Sequence, residues 1–224
     1  MKTGIHWQDP KYAIGQDFVL DPSLLLYLPL HRLDGASLKS EDAYGHPCTV
    51  TGALWRPRGR YFDSDDHIVC GTNPALSITT GDFTLLIWAY LDAIGSHRCM
   101  FGGSSTNAIH LFSRNNEAIL LSKPSIANAP AAKTPMPEDT WAMVRVTFDS
   151  HSTSNNVRYF FNGTTDGIAT LDLDFTGYTN CIGAGNNAGS WHWSGYLGEA
   201  WIYKRVLPAT EIAHIYCVTK RRYR

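Results

Sequence analysis

The sequence predicts an all-β protein, an antiparallel two-sheet sandwich or jelly roll. Three observations carry this. Apolar residues recur at every second position in several segments, glycine-rich and Asn/Ser/Asp-rich turns separate those segments, and almost no stretch has the period of an amphipathic helix. The 224 residues are 44% hydrophobic and 17% charged, with 19 glycines and 7 tryptophans. That composition suits one domain with a sizeable core and is too apolar for a disordered chain.

The clearest strand is "DFTLLIWAYLDA". Phe83, Leu85, Ile87, Ala89 and Leu91 share one face and Thr84, Leu86, Trp88 and Tyr90 the other, so both faces are largely apolar and the strand belongs in the middle of a sheet. "WAMVRVTFDS" alternates in the same way, with Arg145 and Thr147 predicting a polar outer face. "NVRYFFNGTTDG" runs into Asn162-Gly163, a dipeptide that accepts the positive φ angles of a two-residue hairpin turn. Asn162-Gly163-Thr164 also spells a glycosylation sequon, but the turn explains it more simply. A second hairpin is expected at "DSHSTSNN".

Near the end, "WHWSGYLGEAWIYKRVLPATEI" keeps a strand rhythm to Tyr203, then reaches Pro208 and turns helical. With Ala200 and Ile202 toward the core, Trp201 and Tyr203 point outward, to a subunit contact or to cover by an N-terminal arm. Residues 1–23 read as that arm. Lys220, Arg221, Arg222 and Arg224 read as a solvated basic tail over residues 217–224. The two ends are the expected segments for protein partners or self-association.

A net charge of -1 gives no global attraction to nucleic acid or an anionic membrane. No run approaches the ~18 apolar residues of a membrane span, and "MKTGIHWQDPKYAIGQDF" lacks the apolar core of an export signal. Cys48, Cys70, Cys99, Cys181 and Cys217 are odd in number without a CxxC pair, which predicts buried free thiols.

Several motifs resolve into structural features. "GAGNNA", Gly183 to Ala188, fits a dinucleotide fingerprint but is followed by loop and strand where that site needs a helix. The nine histidines show no metal-ligand spacing, and no GxSxG elbow is present. Asp172 and Asp174 alternate with leucines as a solvent face. Two constellations remain. Asp63, Asp65 and Asp66 in "RYFDSDDHIVCG" cluster as calcium ligands do, or as an Asx-rich turn does without an ion. In "GNNAGSWHW", Asn186, Asn187, Trp191 and His192 combine flat apolar faces with amide donors and acceptors, as sugar recognition requires, while Trp193 is expected in the core.

Taken in order, "LLLYLPLHRLDG", "EDAYGHPCTVTGALW", "YFDSDDHIVCG", "FTLLIWAYLDA", "TWAMVRVTFD", "VRYFFNGTTDG", "CIGAGNN" and "WSGYLGEAWIYKRVLPATEIAHIY" resemble the laminin-G-like, concanavalin-A-like jelly-roll family over residues 24–216. The resemblance implies a jelly roll closed by a short C-terminal helical turn. Gly195, Leu197, Glu199, Ile202, Tyr203, Arg205 and Leu207 keep the family's last-strand pattern. Pro208 replaces its capping serine, and Glu211 keeps the acid near the helix start. The resemblance also implies a calcium-linked role for Glu199, although Gly198 stands where the family has aspartate, and the loop at Ser64 is shorter than the family's.

Family members that cleave polysaccharides carry paired acids on one strand, and neither E-x-D-x-x-E nor E-x-D-x-E occurs here. The expected function is therefore a non-catalytic recognition or adhesion module for a glycan or other surface polymer, with calcium as the candidate cofactor. The rival reading, prompted by the absent export signal, is a structural subunit of a virus particle or other assembly. The expected location is correspondingly extracellular or on a particle surface.

Overall fold

A computed structural model describes residues 21–33, 37–78, 81–95, 97–105, 108–114, 119–123, 127–128, 132–171 and 177–224. The arm read over residues 1–23 lies outside these except for Asp21–Ser23, as do Asp172 and Asp174.

The strands in chain order are β1 (Leu24–Pro29), β2 (Ser37–Lys39), β3 (Pro47–Thr51), β4 (Leu54–Arg56), β5 (Gly59–Phe62) and β6 (His67–Val69). There follow β7 (Phe83–Leu91), β8 (Arg98–Gly103), β9 (His110–Ser113), β10 (Ile119–Lys123) and β11 (Ala127–Asn128). The last are β12 (Trp141–Phe148), β13 (Val157–Phe161), β14 (Thr164–Ala169), β15 (Thr179–Ile182) and β16 (Gly195–Tyr203), before helix α1 (Ala209–Thr219). They form two antiparallel sheets. The first runs β14-β13-β12-β7-β16-β5-β4, with β1 paired to β16, and the second runs β11-β10-β9-β8-β15-β6-β3-β2.

β7 lies between β12 and β16, as its two apolar faces predict. Phe83, Leu85, Ile87, Ala89 and Leu91 enter the core between the sheets, where they meet Met100, Leu111, Leu121 and Ile182 of the second sheet. Asn162 and Gly163 form the β13–β14 turn at φ 49° and 83°, both left-handed as the dipeptide predicts. The "DSHSTSNN" segment joins β12 to β13.

The outer face of the first sheet differs from expectation. Met143, Arg145 and Thr147 of β12 are buried there, as are Trp201 and Tyr203 of β16. What covers much of this face is the C-terminal segment: Ile212, Ile215 and Tyr223 pack with Leu24, Tyr27, Leu86, Trp88, Met143, Trp201, Tyr203 and Leu207 in a second apolar cluster. Arg145 donates from Nη2 to the Leu207 carbonyl at 2.9 Å, and its guanidinium lies 3.6 Å from the Phe160 ring centre. Trp201 and Tyr203 are therefore covered by the chain's own end.

The basic tail is folded. α1 starts after Pro208, whose φ of -67° and ψ of 156° suit a cap, and continues into a 3-10 turn over Lys220–Tyr223. The basic side chains stay at the rim while Tyr223 turns inward, so a charged run conceals an apolar anchor. Arg205 fastens the start of the helix: it pairs with Glu211 at 2.5 Å and with Asp21 at 2.6 Å. Burial pushes the Asp21 carboxyl up, but Ser23 hydrogen bonds and the Arg205 charge hold it below its ordinary value. Cys48, Cys70, Cys99 and Cys181 are buried free thiols as expected, whereas Cys217 is exposed on α1.

Candidate functional site

The chain leaves β15 through residues 183–194, and this loop builds the site. Gly183 opens it at φ 85°, a left-handed angle, and a Cβ there would fall 2.5 Å from the Phe62 ring, so both conformation and space call for glycine. Gly185 and Ser190 form a small antiparallel bridge that closes residues 186–189 into a lobe. Asn186, Asn187 and Ala188 take φ of 48°, 56° and 62°. Asparagine tolerates that region, alanine less so. The Asn187 N–H donates to the Gly103 carbonyl at 2.8 Å and fixes the lobe to β8.

Trp191 follows at φ 58°. For a bulky residue this conformation costs about 1–3 kcal/mol and persists only where the surroundings enforce it. Its carbonyl accepts from Cys99 N–H at 2.8 Å, and its ring lies on the outer face of the second sheet against Cys99, Phe112 and Leu120. His97, His110 and Phe112 border the indole, with ring centres 5.6, 5.5 and 6.1 Å away. A Cβ on Gly185 would come within 2.5 Å of the indole, so this glycine lets the ring lie flat.

His110 supports the loop from below. It is fully buried; its Nδ1 donates to the Ala108 carbonyl at 3.0 Å, while Nε2 accepts from Asn186 N–H at 3.1 Å and Gly103 N–H at 3.4 Å. Two N–H donors at Nε2 require a neutral ring, and burial pushes its pKa down to about 4. Burial and the Arg114 charge also lower the pKa of His97.

Of the four residues read as ligand-binding, Asn186 and Asn187 are exposed and Trp191 is half-buried. Among the described residues, neither asparagine side chain has a hydrogen-bond partner, so both amides face solvent unspent. His192 instead meets the Ala188 carbonyl through Nε2 at 3.1 Å, which braces the lobe. Trp193 is core and donates to the Tyr90 carbonyl at 3.3 Å. The residues that sequence reasoning missed are His97, His110 and Phe112. The alternation in "HLFS", with Leu111 inward, places His110 and Phe112 on one outer face.

The four residues read as metal ligands do not form one site. In the Asp63–Asp66 turn, Asp66 N–H donates to the Asp63 carbonyl at 2.9 Å and Asp63 N–H to the Asp66 carboxylate at 3.0 Å. The Asp66 carboxylate is thus turned into the loop, and burial together with Asp63 and Asp65 raises its pKa. Asp63 and Asp65 are exposed. Among the described residues, no three His, Cys, Asp or Glu side chains gather as a metal site.

Glu199 lies on the other side of the first sheet, beneath the C-terminal turn. Its carboxylate accepts from Tyr27 Oη at 2.9 Å, from Arg222 at 2.5 Å and from Tyr223 Oη at 3.2 Å. Two of these contacts anchor the C-terminal turn, and the third ties the same carboxylate to β1. Gly198 has a matching reason: a Cβ there would lie 2.6 Å from the Tyr223 ring. Gly198→Ala is therefore expected to cost about 1–3 kcal/mol in urea unfolding. The cost should vanish in a Tyr223→Ala background; an undiminished cost there would show that the ring is not the obstacle.

Chemically, the Trp191 face offers an apolar plane, ring edges and two free amides. β8, β9, β10 and β15 carry no Asp or Glu. Among the described residues, no helix is long and apolar enough to cross a membrane.

Comparison with solved structures finds the same architecture. Domain 4 of a GH43 extracellular arabinanase from Geobacillus stearothermophilus, in complex with arabinotriose, has a TM-score of 0.65 at 15% identity, covering 87% of this chain and 98% of that one. A botulinum neurotoxin type C structure, from work on its dependence on two ganglioside molecules for cell entry, has a TM-score of 0.68 at 11% identity, covering 88% and 51%. Trypanosoma rangeli sialidase in complex with sialic acid has a TM-score of 0.67 at 14% identity, covering 91% and 34%. The chain thus spans about half of the toxin chain and about a third of the sialidase. At these identities the likeness is one of fold. Comparison with curated protein sequences gives no match. The family profile of the concanavalin A-like lectin/glucanases superfamily matches residues 62–213, more than half of the sequence, and the chain belongs to that superfamily.

Proposed function

We propose that this protein is a non-catalytic carbohydrate-binding module that takes its glycan on the Trp191 face. The observation that carries this reading is Trp191 itself: a strained residue whose indole is held across a sheet beside two unspent asparagine amides. A sugar presents C–H faces to aromatic planes and hydroxyls to amides, so both of its surfaces find partners here. The absence of acids from the underlying strands supports binding over hydrolysis, which needs two carboxyl groups. The arabinotriose and ganglioside named for two structural relatives support a glycan as ligand.

The test is a glycan array with the purified protein, in calcium and in chelator, followed by titration of the best oligosaccharide against Trp191→Ala. Binding is expected to survive chelator, because the Asp66 carboxylate is engaged within its own turn. Trp191→Ala should weaken it at least tenfold, as loss of a central aromatic contact does. Undiminished binding by a folded Trp191→Ala protein would remove this face from the function.

A further inference from the structure

A second candidate site lies on the outer face of the first sheet, on the part the C-terminal segment leaves open. Trp141 pairs with Tyr90, Tyr90 with Tyr196, Tyr196 with Tyr61, and Tyr61 with Leu54. These five residues stand in one row across β12, β7, β16, β5 and β4, which are consecutive in the sheet. With adjacent strands about 4.8 Å apart, the row runs about 19 Å. Its rings meet edge to face: Tyr61 and Tyr196 at 4.9 Å and 61°, Tyr90 and Tyr196 at 5.4 Å and 88°, Tyr90 and Trp141 at 5.8 Å and 61°. Three of the row, Tyr90, Trp141 and Tyr196, line an open cleft of about 350 Å3 together with Arg56, Pro57 and Arg58. That volume is in the range of small-ligand sites.

The charges around the row are sorted by side. β5 and β7 both run antiparallel to β16 and so share a direction. Asp63 and Asp92 each lie two residues beyond the row on those strands, and Asp139 lies two before Trp141 on antiparallel β12, which puts all three on one side. The Tyr90 hydroxyl donates to Asp139 at 3.3 Å, and a hydrogen bond to Asp92 raises the Tyr61 pKa. The β4–β5 turn, with Arg56 and Arg58, lies on the opposite side. Both arginines are exposed, and among the described residues neither forms an ion pair; Arg56 donates only to the Trp55 carbonyl, at 2.9 Å.

We propose that this cleft binds a carboxylated sugar. The ring packs on Trp141, Tyr90 and Tyr196; its carboxylate turns to Arg56 and Arg58, whose planar donors suit it. Its hydroxyls turn to the opposite side, where Asp92 and Asp139 accept hydrogen bonds. Those acids call for hydroxyl donors, which a sugar supplies at every residue and the sugar–phosphate backbone of DNA lacks, so the polarity of the cleft favours an acidic sugar over single-stranded DNA.

The experiment is titration of the full chain, followed by tryptophan fluorescence and by NMR, with oligogalacturonate and with 3′-sialyllactose. These two probes separate uronic acids from sialic acids. Methyl-esterified oligogalacturonate, lactose and an oligothymidylate serve as comparisons. At least one acidic sugar is expected to bind, with its neutral counterpart at least tenfold weaker. The doubly substituted Arg56→Ala/Arg58→Ala protein should lose about tenfold or more, and exposed positions keep that variant folded. Tyr196→Leu should weaken acidic and neutral sugars together. Trp191→Ala should leave this binding unchanged, which separates the cleft from the Trp191 face. Equal binding of neutral and acidic forms, tighter binding of the oligothymidylate, no binding of either acidic probe, or loss through Trp191→Ala alone would each overturn the proposal.

Discussion

Tyr223→Ala is expected to lower the unfolding free energy by about 3–5 kcal/mol, the usual cost of truncating a buried large aromatic side chain. The residue lies among Lys220, Arg221, Arg222 and Arg224, in a run that by composition reads as solvated. Here its ring stacks on Trp88 at 4.5 Å and meets Trp141 at 4.7 Å, and it covers Gly198 closely. Its hydroxyl accepts from Glu199 N–H at 2.8 Å and donates to the Glu199 carboxylate at 3.2 Å. Tyr223→Phe keeps the ring but orphans the buried Glu199 N–H, so about 1–3 kcal/mol is expected for it. Urea unfolding of the two variants separates packing from hydrogen bonding. If Tyr223→Ala costs under about 1 kcal/mol, the chain end is a passenger on the sheet and not its cover.

This anchor marks where sequence reading succeeds and where it stops. β7 and the Asn162-Gly163 turn are legible because their information is local: a period of two, and a dipeptide that accepts left-handed φ. Glu199 is not, because its partners stand 172, 23 and 24 residues away in Tyr27, Arg222 and Tyr223. Seen alone, a glutamate at a family position invites a ligand role, and a Lys-Arg-Arg run invites a solvated tail. Together they form a buried clamp. Arg145 fails for the same reason, since only tertiary contacts such as that with the Leu207 carbonyl, 62 residues on, turn a polar outer face into an interior one. The candidate site divides likewise. The asparagines and Trp191 announce themselves by composition, but His110 and Phe112 come from β9, about 80 residues earlier, and His97 from just before β8, earlier still. The aromatic row on the first sheet is written one residue per strand, so no single segment displays it.

Acidification is expected to destabilise the protein between about pH 6.5 and pH 4, with His110 as a principal cause. In the folded state the His110 pKa is pushed down to about 4 by burial, against an ordinary value of 6.5. Above pH 6.5 the ring is neutral whether the chain is folded or unfolded, so its full contribution is present. As pH falls below 6.5 the unfolded chain takes up a proton that the folded chain refuses, and stability is lost until pH approaches 4. At 1.36 kcal/mol per pH unit this amounts to about 2 kcal/mol at pH 5. His31 adds a loss of the same sign, since burial and then the Arg222 and Arg32 charges push its pKa down to about 4 as well.

The two histidines separate by what they hold. Protonating His110 would place an N–H against the Asn186 and Gly103 donors, which frees the lobe that positions Asn186, Asn187 and Trp191. Binding on the Trp191 face should therefore weaken through the same pH range. His110→Gln keeps an acceptor for Asn186 and cannot titrate, so its stability loss on going from pH 7 to pH 5 should be smaller than the wild type's by about 2 kcal/mol. His31→Gln should flatten the stability curve while leaving the pH dependence of glycan binding as it was. If His110→Gln and the wild-type protein lose stability in parallel from pH 7 to pH 5, the buried imidazole is not what makes the fold acid-sensitive, and the loop has some other support than the one assigned to it.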